Sequence, residues 1–110
     1  MVTARVARGE IWLAGLDPTV GSEAQKTRPC VVISPPELHD HLWTVMVAPM
    51  TTGSRPAPWR IAVRFENKEG LILLDQIRTL DKQRLIRRLG AVDRHTLSSL
   101  LDRLRDLFAD

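Results

Sequence analysis

The chain is short of most residues that catalytic chemistry recruits: it has one cysteine, no tyrosine and six scattered glycines in 110 residues. A lone cysteine cannot close an internal disulfide. Cys30 lies in the apolar run Cys30-Val31-Val32-Ile33 and reads as a small buried hydrophobe, not a nucleophile. No glycine precedes a Lys-Ser or Lys-Thr pair, which excludes a glycine-rich phosphate loop. No Gly-x-Ser-x-Gly elbow occurs, which removes the serine-hydrolase arrangement. No stretch approaches the roughly 18 apolar residues of a membrane span, and the N-terminus lacks the apolar segment of a secretory signal. A cytoplasmic protein without membrane association is expected.

What the chain does have is a modest apolar content and a basic excess. Its 44% hydrophobic residues suffice for one core, so residues 1–110 read as a single domain. A formal charge of +3 and a pI near 9.8 permit a polyanionic partner. The basic residues concentrate between Lys26 and Arg88, whereas the C-terminal stretch mixes Asp102, Arg103, Arg105, Asp106 and Asp110.

Apolar runs broken by turn residues predict strands over 11–16, 29–34, 43–48, 59–65, 71–74, 76–79 and 84–92. The unbroken run at 29–34 implies burial on both faces, and Pro49 marks an edge or a bend. Trp59, Ile61, Val63 and Phe65 alternate with Arg60, Ala62 and Arg64, so one face meets the core. Residues 53–58 read as an exposed loop and 67–70 as a turn. Only the end of the chain has a helical period, at Leu97, Leu100, Leu101, Leu104 and Phe108, with Asp93 as N-cap. The fold class is therefore mainly β: five to seven short strands in a small, strongly bent sheet or partly open barrel, with a C-terminal α-helix.

His39-Asp40-His41 is the one cluster of metal-ligand types, but no cysteine or third histidine completes it, so no metal is expected and both histidines read as exposed loop residues. Trp12, Trp43 and Trp59 sit in strands and read as core. A charged loop that carries Glu23, Lys26 and Arg28 runs into the apolar strand at Pro29. The strand can hold Arg28 still while its guanidinium stays available to a phosphate. With the hydroxyls of Thr51 and Thr52, such a basic surface suits a single-stranded nucleic acid.

The blocks Arg8-Gly9-Glu10-Ile11-Trp12, Asp17-Pro18, Gly21-Ser22-Glu23, Lys26-Thr27-Arg28-Pro29, Val47-Ala48-Pro49-Met50-Thr51-Thr52 and Asp75-Gln76-Ile77-Arg78-Thr79 stand in one order over most of the chain. In that order and spacing the sequence resembles the MazF/PemK toxins of bacterial type II toxin–antitoxin systems. The resemblance implies an SH3-like barrel with a C-terminal helix, a homodimer, and a metal-independent, ribosome-independent endoribonuclease specific for sequence in single-stranded RNA. It carries the catalytic roles to Arg28 and to Thr51, with Thr52 an alternative one residue away. Glu23 is the candidate general base, and Ser22, Gln25, Lys26, Thr52 and Gln76 are candidate RNA contacts.

The chemistry so implied is attack by the RNA 2′-hydroxyl on the adjacent phosphorus, leaving a 2′,3′-cyclic phosphate and a 5′-hydroxyl. The nucleophile then belongs to the substrate, so neither cofactor nor side-chain nucleophile is needed. A guanidinium stays protonated at neutral pH, so charge stabilisation rather than base catalysis falls to Arg28. The family also implies an antitoxin partner with an acidic, disordered C-terminal segment. The readings against which this one stands are a CcdB-like toxin that binds gyrase and a non-catalytic SH3-like nucleic-acid-binding module.

Overall fold

Seven short strands curl into one antiparallel sheet because most of them carry an apolar face that must find cover on the inside of the curve. In the computed structural model, which describes residues 5–110, the elements are β1 (Glu10–Gly15), β2 (Thr27–Val32), α1 (Pro36–His39), β3 (Thr44–Thr51), β4 (Arg60–Phe65), β5 (Lys68–Leu73), β6 (Arg78–Asp81), β7 (Leu85–Ala91) and α2 (Arg94–Phe108). Single 3₁₀ turns at Leu74–Gln76 and Lys82–Arg84 join the later strands. The sheet order is β4-β5-β3-β2-β1-β7, with β6 also on β3. Irregularities at Ile11/Trp12 and Leu13/Ala14 bend the β1–β7 ladder. They help bring the two end strands together: a Cβ on Gly90 of β7 would lie 3.5 Å from Phe65 Cε1 of β4.

Strand β2 is buried on both faces, as its unbroken apolar run predicts. Cys30 and Val32 enter one cluster with Ala14, Leu16, Val45 and Leu80. Val31 and Ile33 enter the other, with Ile11, Met50, Ile72 and Leu100. Burial pushes the Cys30 thiol up to about 12, against the lowering influence of Arg78 and Arg28, so it stays an unreactive core residue.

Helix α2 starts where Asp93 Oδ1 accepts the Thr96 N–H at 2.7 Å. Its Leu97, Leu100, Leu101 and Leu104 pack against Ile61, Val63 and Phe65 of β4 in the second cluster. Phe108, the last member of the stripe, is 72% exposed and borders a hollow that Ile33, Met46 and Ile77 also line.

Several local expectations need correction. Pro49 does not end β3, which continues to Thr51. The strand pairs β6 up to Val47 and β5 from Met50, so the residue without an N–H falls where the neighbour changes. The expected turn at 67–70 shrinks to Glu66 and Asn67, both left-handed (φ 52° and 62°), between the paired Phe65 and Lys68. That two-residue geometry matches the twist of the flanking strands. The segment 76–79 divides into the 3₁₀ turn and β6, which starts at Arg78.

His39 is not an exposed loop residue. It is 1% exposed, with Nδ1 2.8 Å from Ser34 Oγ and Nε2 2.8 Å from the Val6 carbonyl. The short α1 helix, which the apolar pattern does not reveal, turns it inward; His41 stays outside. The tryptophans divide likewise. Trp12 is half-buried with Nε1 on Glu10, whereas Trp43 and Trp59 expose 59% and 42% of their surface just ahead of β3 and β4.

Candidate active site

Register brings the two principal candidate residues together. Cys30 faces Pro49 in the β2–β3 ladder, so two residues further along, Arg28 falls opposite Thr51. Directly opposed residues share a face of the sheet. Accordingly, Arg28 Nη1 lies 3.4 Å from Thr51 Oγ1, while Arg28 Nε donates to the Gln25 carbonyl at 3.0 Å. Thr51 Oγ1 also accepts the Gly53 N–H at 3.2 Å. With both acceptor positions taken, the hydroxyl proton of Thr51 is left to donate. Thr52 lies one residue beyond β3 and lines the same hollow, without a hydrogen bond to Arg28 among the described residues.

Gly70 sets how closely β5 can approach this pair. A Cβ there would lie 2.7 Å from the Thr51 carbonyl oxygen, closer than real contacts allow. A glycine inside a strand is explained here by that approach of one backbone to another.

Beneath Arg28 and Thr51 opens a cavity of about 310 Å³ between β7 and the β4–β5 hairpin. Leu13, Met50, Val63, Phe65 and Leu89 form its apolar wall, and Glu66, Lys68 and Arg87 stand on its edge. The sequence pattern did not single out these three charged residues as a group. The signal available was a glutamate at a two-residue turn between strands, where glycine or asparagine is the usual choice.

The other candidates lie around the β1–β2 loop, and most are engaged in holding it. Glu23 Oε1 accepts the Val20 N–H at 2.8 Å, and Glu23 makes no hydrogen bond or ion pair with Arg28 or Thr51 among the described residues. With Ser22 and Gln76 it lines a separate depression beside Asp75 and Arg78. Gln76 Oε1 accepts the Ala24 N–H at 2.6 Å and its amide nitrogen reaches the Ser22 carbonyl at 3.4 Å, so it braces the loop from the 3₁₀ turn at Leu74–Gln76. Gln25 supplies its carbonyl to Arg28. Lys26 adopts φ 67° and donates its N–H to Asp17 Oδ1, and its exposed ammonium has no partner among the described residues.

The basic excess also separates into two populations. Arg84 donates to the Gly15 and Asp17 carbonyls, Arg78 to Leu16, and the buried Lys82 to His39. Arg60 grips both oxygens of Asp75 at 3.2 and 3.0 Å, and Arg88 meets Glu10 at 2.7 Å. Arg60 holds the Asp75 carboxyl below its ordinary range, outweighing the raising effect of burial. For Glu10, burial works in the raising direction, but bonds from Ala7, Trp12 and Arg88 together keep its carboxyl low. These cations are structural. Lys26, Arg55, Lys68 and Arg87 are the ones between residues 26 and 88 whose side chains have no such partner among the described residues.

Among the described residues, no group of three His, Cys, Asp or Glu side chains is arranged to hold a metal ion, and no helix is long and apolar enough to cross a membrane. Residues 7–108 match the model of a family described as PemK-like, MazF-like toxin of type II toxin-antitoxin system. The chain is 41% identical over 86 residues to Endoribonuclease MazF of Staphylococcus epidermidis, covering 73% of this chain and 72% of that one. It is 36% identical over 103 residues to Endoribonuclease PemK of Escherichia coli, covering 88% and 77%. Its fold matches a solved endoribonuclease in complex with its cognate antitoxin from a mycobacterial species, with a TM-score of 0.78, 23% identity and 93% of each chain covered.

Proposed function

This chain belongs to the PemK-like and MazF-like toxins of type II toxin–antitoxin systems and is an endoribonuclease; we propose that Arg28 and Thr51 form its cleavage site. The observation that carries the proposal is their placement face to face on adjacent strands, 3.4 Å apart, at the mouth of an apolar cavity. The substrate is single-stranded RNA. Its 2′-hydroxyl gives up its proton to solvent as it attacks the adjacent phosphorus, the P–O5′ bond breaks, and the departing O5′ takes a proton from solvent, so that the products are a 2′,3′-cyclic phosphate and a 5′-hydroxyl. Arg28 neutralises charge that builds on the phosphoryl oxygens, and Thr51 donates its free proton to one of them. DNA lacks the attacking hydroxyl and binds without being cut.

In this reading Ser22, Gln25 and Gln76 shape the loop beside the RNA path, while Lys26 and Thr52 meet the RNA itself. Glu23 is disfavoured as the general base, since its carboxylate already serves the Val20 N–H. The protein acts in the cytoplasm as a single-domain subunit of a homodimer. It is restrained by an antitoxin whose acidic, disordered C-terminal segment folds over the same surface, as such segments can cover a large area on binding. The antitoxin complex formed by its structural neighbour supports that partner.

The test is to incubate the purified protein with a long single-stranded RNA in excess EDTA and map both new ends. Cyclic phosphate and 5′-hydroxyl ends are expected. Intact RNA sinks the cleavage proposal, and inhibition by EDTA removes the metal-free mechanism.

A further inference from the structure

We propose that the cavity beneath Arg28 and Thr51 is a nucleobase subsite, and that Glu66 reads the hydrogen-bonding edge of the base it holds. The inference rests on the ribonuclease reading above and adds to it the part of the substrate that enters this hollow. At about 310 Å³, the cavity lies at the small end of the roughly 300–1,000 Å³ typical of small-ligand pockets. That is room for one flat ring system. Leu13, Val63, Phe65 and Leu89 remain only half-buried around it, although each is large and apolar. Apolar surface left open inside a concavity is surface awaiting a partner, and a base has two apolar faces.

The charges on the edge favour a base over a purely apolar occupant. Arg88 and Arg60 are tied to carboxylates, and Arg64 lies 3.6 Å from Glu69, whereas Glu66, Lys68 and Arg87 have no such partner among the described residues. Lys68 and Arg87 suit the phosphates on either side of a bound nucleotide. Glu66 does the opposite, since a carboxylate beside a polyanion's path weakens the attraction. It also occupies a left-handed conformation, φ 52°, which a side chain adopts less readily than glycine does. An unfavourable charge on an unfavourable backbone fits a residue that makes a specific contact. A carboxylate only accepts hydrogen bonds, so it selects a base edge that donates. Guanine presents two adjacent donors, N1–H and N2–H, which two carboxylate oxygens can take together.

Two measurements test this, one independent of cleavage. In the first, methyl signals of Leu13, Val63 and Leu89 are followed by NMR as each of the four 3′-mononucleotides is added. They are expected to shift, most with 3′-GMP, and the preference for 3′-GMP is expected to disappear in Glu66→Gln, an isosteric change at an exposed turn. In the second, wild type and Glu66→Gln digest the same complex RNA pool. The variant is expected to lose base preference at one position next to the cut by on the order of tenfold or more, the size of one bidentate base contact, while the other positions keep theirs. Cleavage by both proteins with identical base preferences, or methyl signals that answer to no nucleotide but do answer to an acidic peptide, overturns the subsite and leaves the ribonuclease standing. Nucleotide-dependent methyl shifts in a protein that leaves RNA intact overturn the ribonuclease reading instead.

Discussion

Arg28 and Thr51 oppose each other across the β2–β3 ladder, with 3.4 Å between guanidinium Nη1 and hydroxyl Oγ1. That distance is long for a hydrogen bond. The pair therefore does not exhaust itself in a mutual contact, and the phosphoryl oxygens of a substrate can be shared between its donors. Removal of either donor should leave the fold intact and cut the cleavage rate by roughly 10²–10³-fold, as for a lost transition-state hydrogen bond. Single-turnover kinetics on Arg28→Ala and Thr51→Ala, beside circular dichroism, measure this. Thr51→Ser should keep most activity and Thr52→Ala should lose less than Thr51→Ala; the reverse order moves the role to Thr52.

Gly70 is expected to act on the reaction without touching the substrate. In Gly70→Ala the new Cβ meets the Thr51 carbonyl oxygen at 2.7 Å unless one strand shifts. The prediction is a fall in kcat of at least about tenfold, since displacements of an ångström at a positioned group cost that or more. Amide chemical shifts at Thr51 and Gly53 should move with it. Unchanged shifts and unchanged kcat would show that β5 yields without disturbing Thr51.

Glu23 and Gln76 should separate loop architecture from chemistry. Glu23→Ala is expected to change the cleavage rate by less than about tenfold, well short of the range for a lost general base, because the Glu23 carboxylate is occupied by Val20. A loss of a hundredfold with disappearance of a limb of the pH–rate profile would restore it as base. Gln76→Ala removes the acceptor of the Ala24 N–H, and hydrogen exchange at Ala24 should accelerate as the loop opens more often.

Acid should loosen the molecule in a defined direction. Arg60 depresses the Asp75 carboxyl below its ordinary 3.8, and the backbone bond from Thr96 does the same for Asp93 at the start of α2. A carboxyl with a lower value folded than unfolded adds stability that is complete above the unfolded value and disappears as pH falls through the folded one. The melting temperature should therefore be insensitive to these groups at neutral pH and fall below about pH 4. Asp75→Asn should flatten part of that slope in thermal melts recorded from pH 6 to pH 2.

His39 tests the structural side of the chain. The Val6 carbonyl can only accept, so Nε2 carries a ring proton, and Nδ1 lies against Ser34, whose Oγ accepts the Met46 N–H at 3.1 Å. Imidazole ¹⁵N shifts should report the proton on Nε2. His39→Ala should destabilise by about 2–4 kcal/mol through the cavity and the unpaired groups left behind. Urea unfolding with an unchanged m-value is the measurement.

Much of the fold is legible in local pattern. The period of two in Ile61, Val63 and Phe65, the double-sided run around Val31 and the helical stripe from Leu97 to Leu104 each identify their element, because burial of one face or two is written into residue order. The misread places are those where distant partners decide. Pro49 sits within β3 because the neighbour strand changes there, and His39 is buried with its Nε2 on the carbonyl of Val6, 33 residues away. No window of sequence contains those partners.

The same division runs through the site. Residue order alone established that Arg28 stands where a charged loop enters a buried strand, and that the motif blocks follow one family's spacing. Which residue faces Arg28, which cations are spent on carbonyls and which keep no partner among the described residues, and that Glu66 shares a hollow with Thr51 were decided by register and sheet curvature. Those quantities are set by hydrogen-bond ladders and apolar contacts between residues tens of positions apart, so they exist only once the chain has closed on itself.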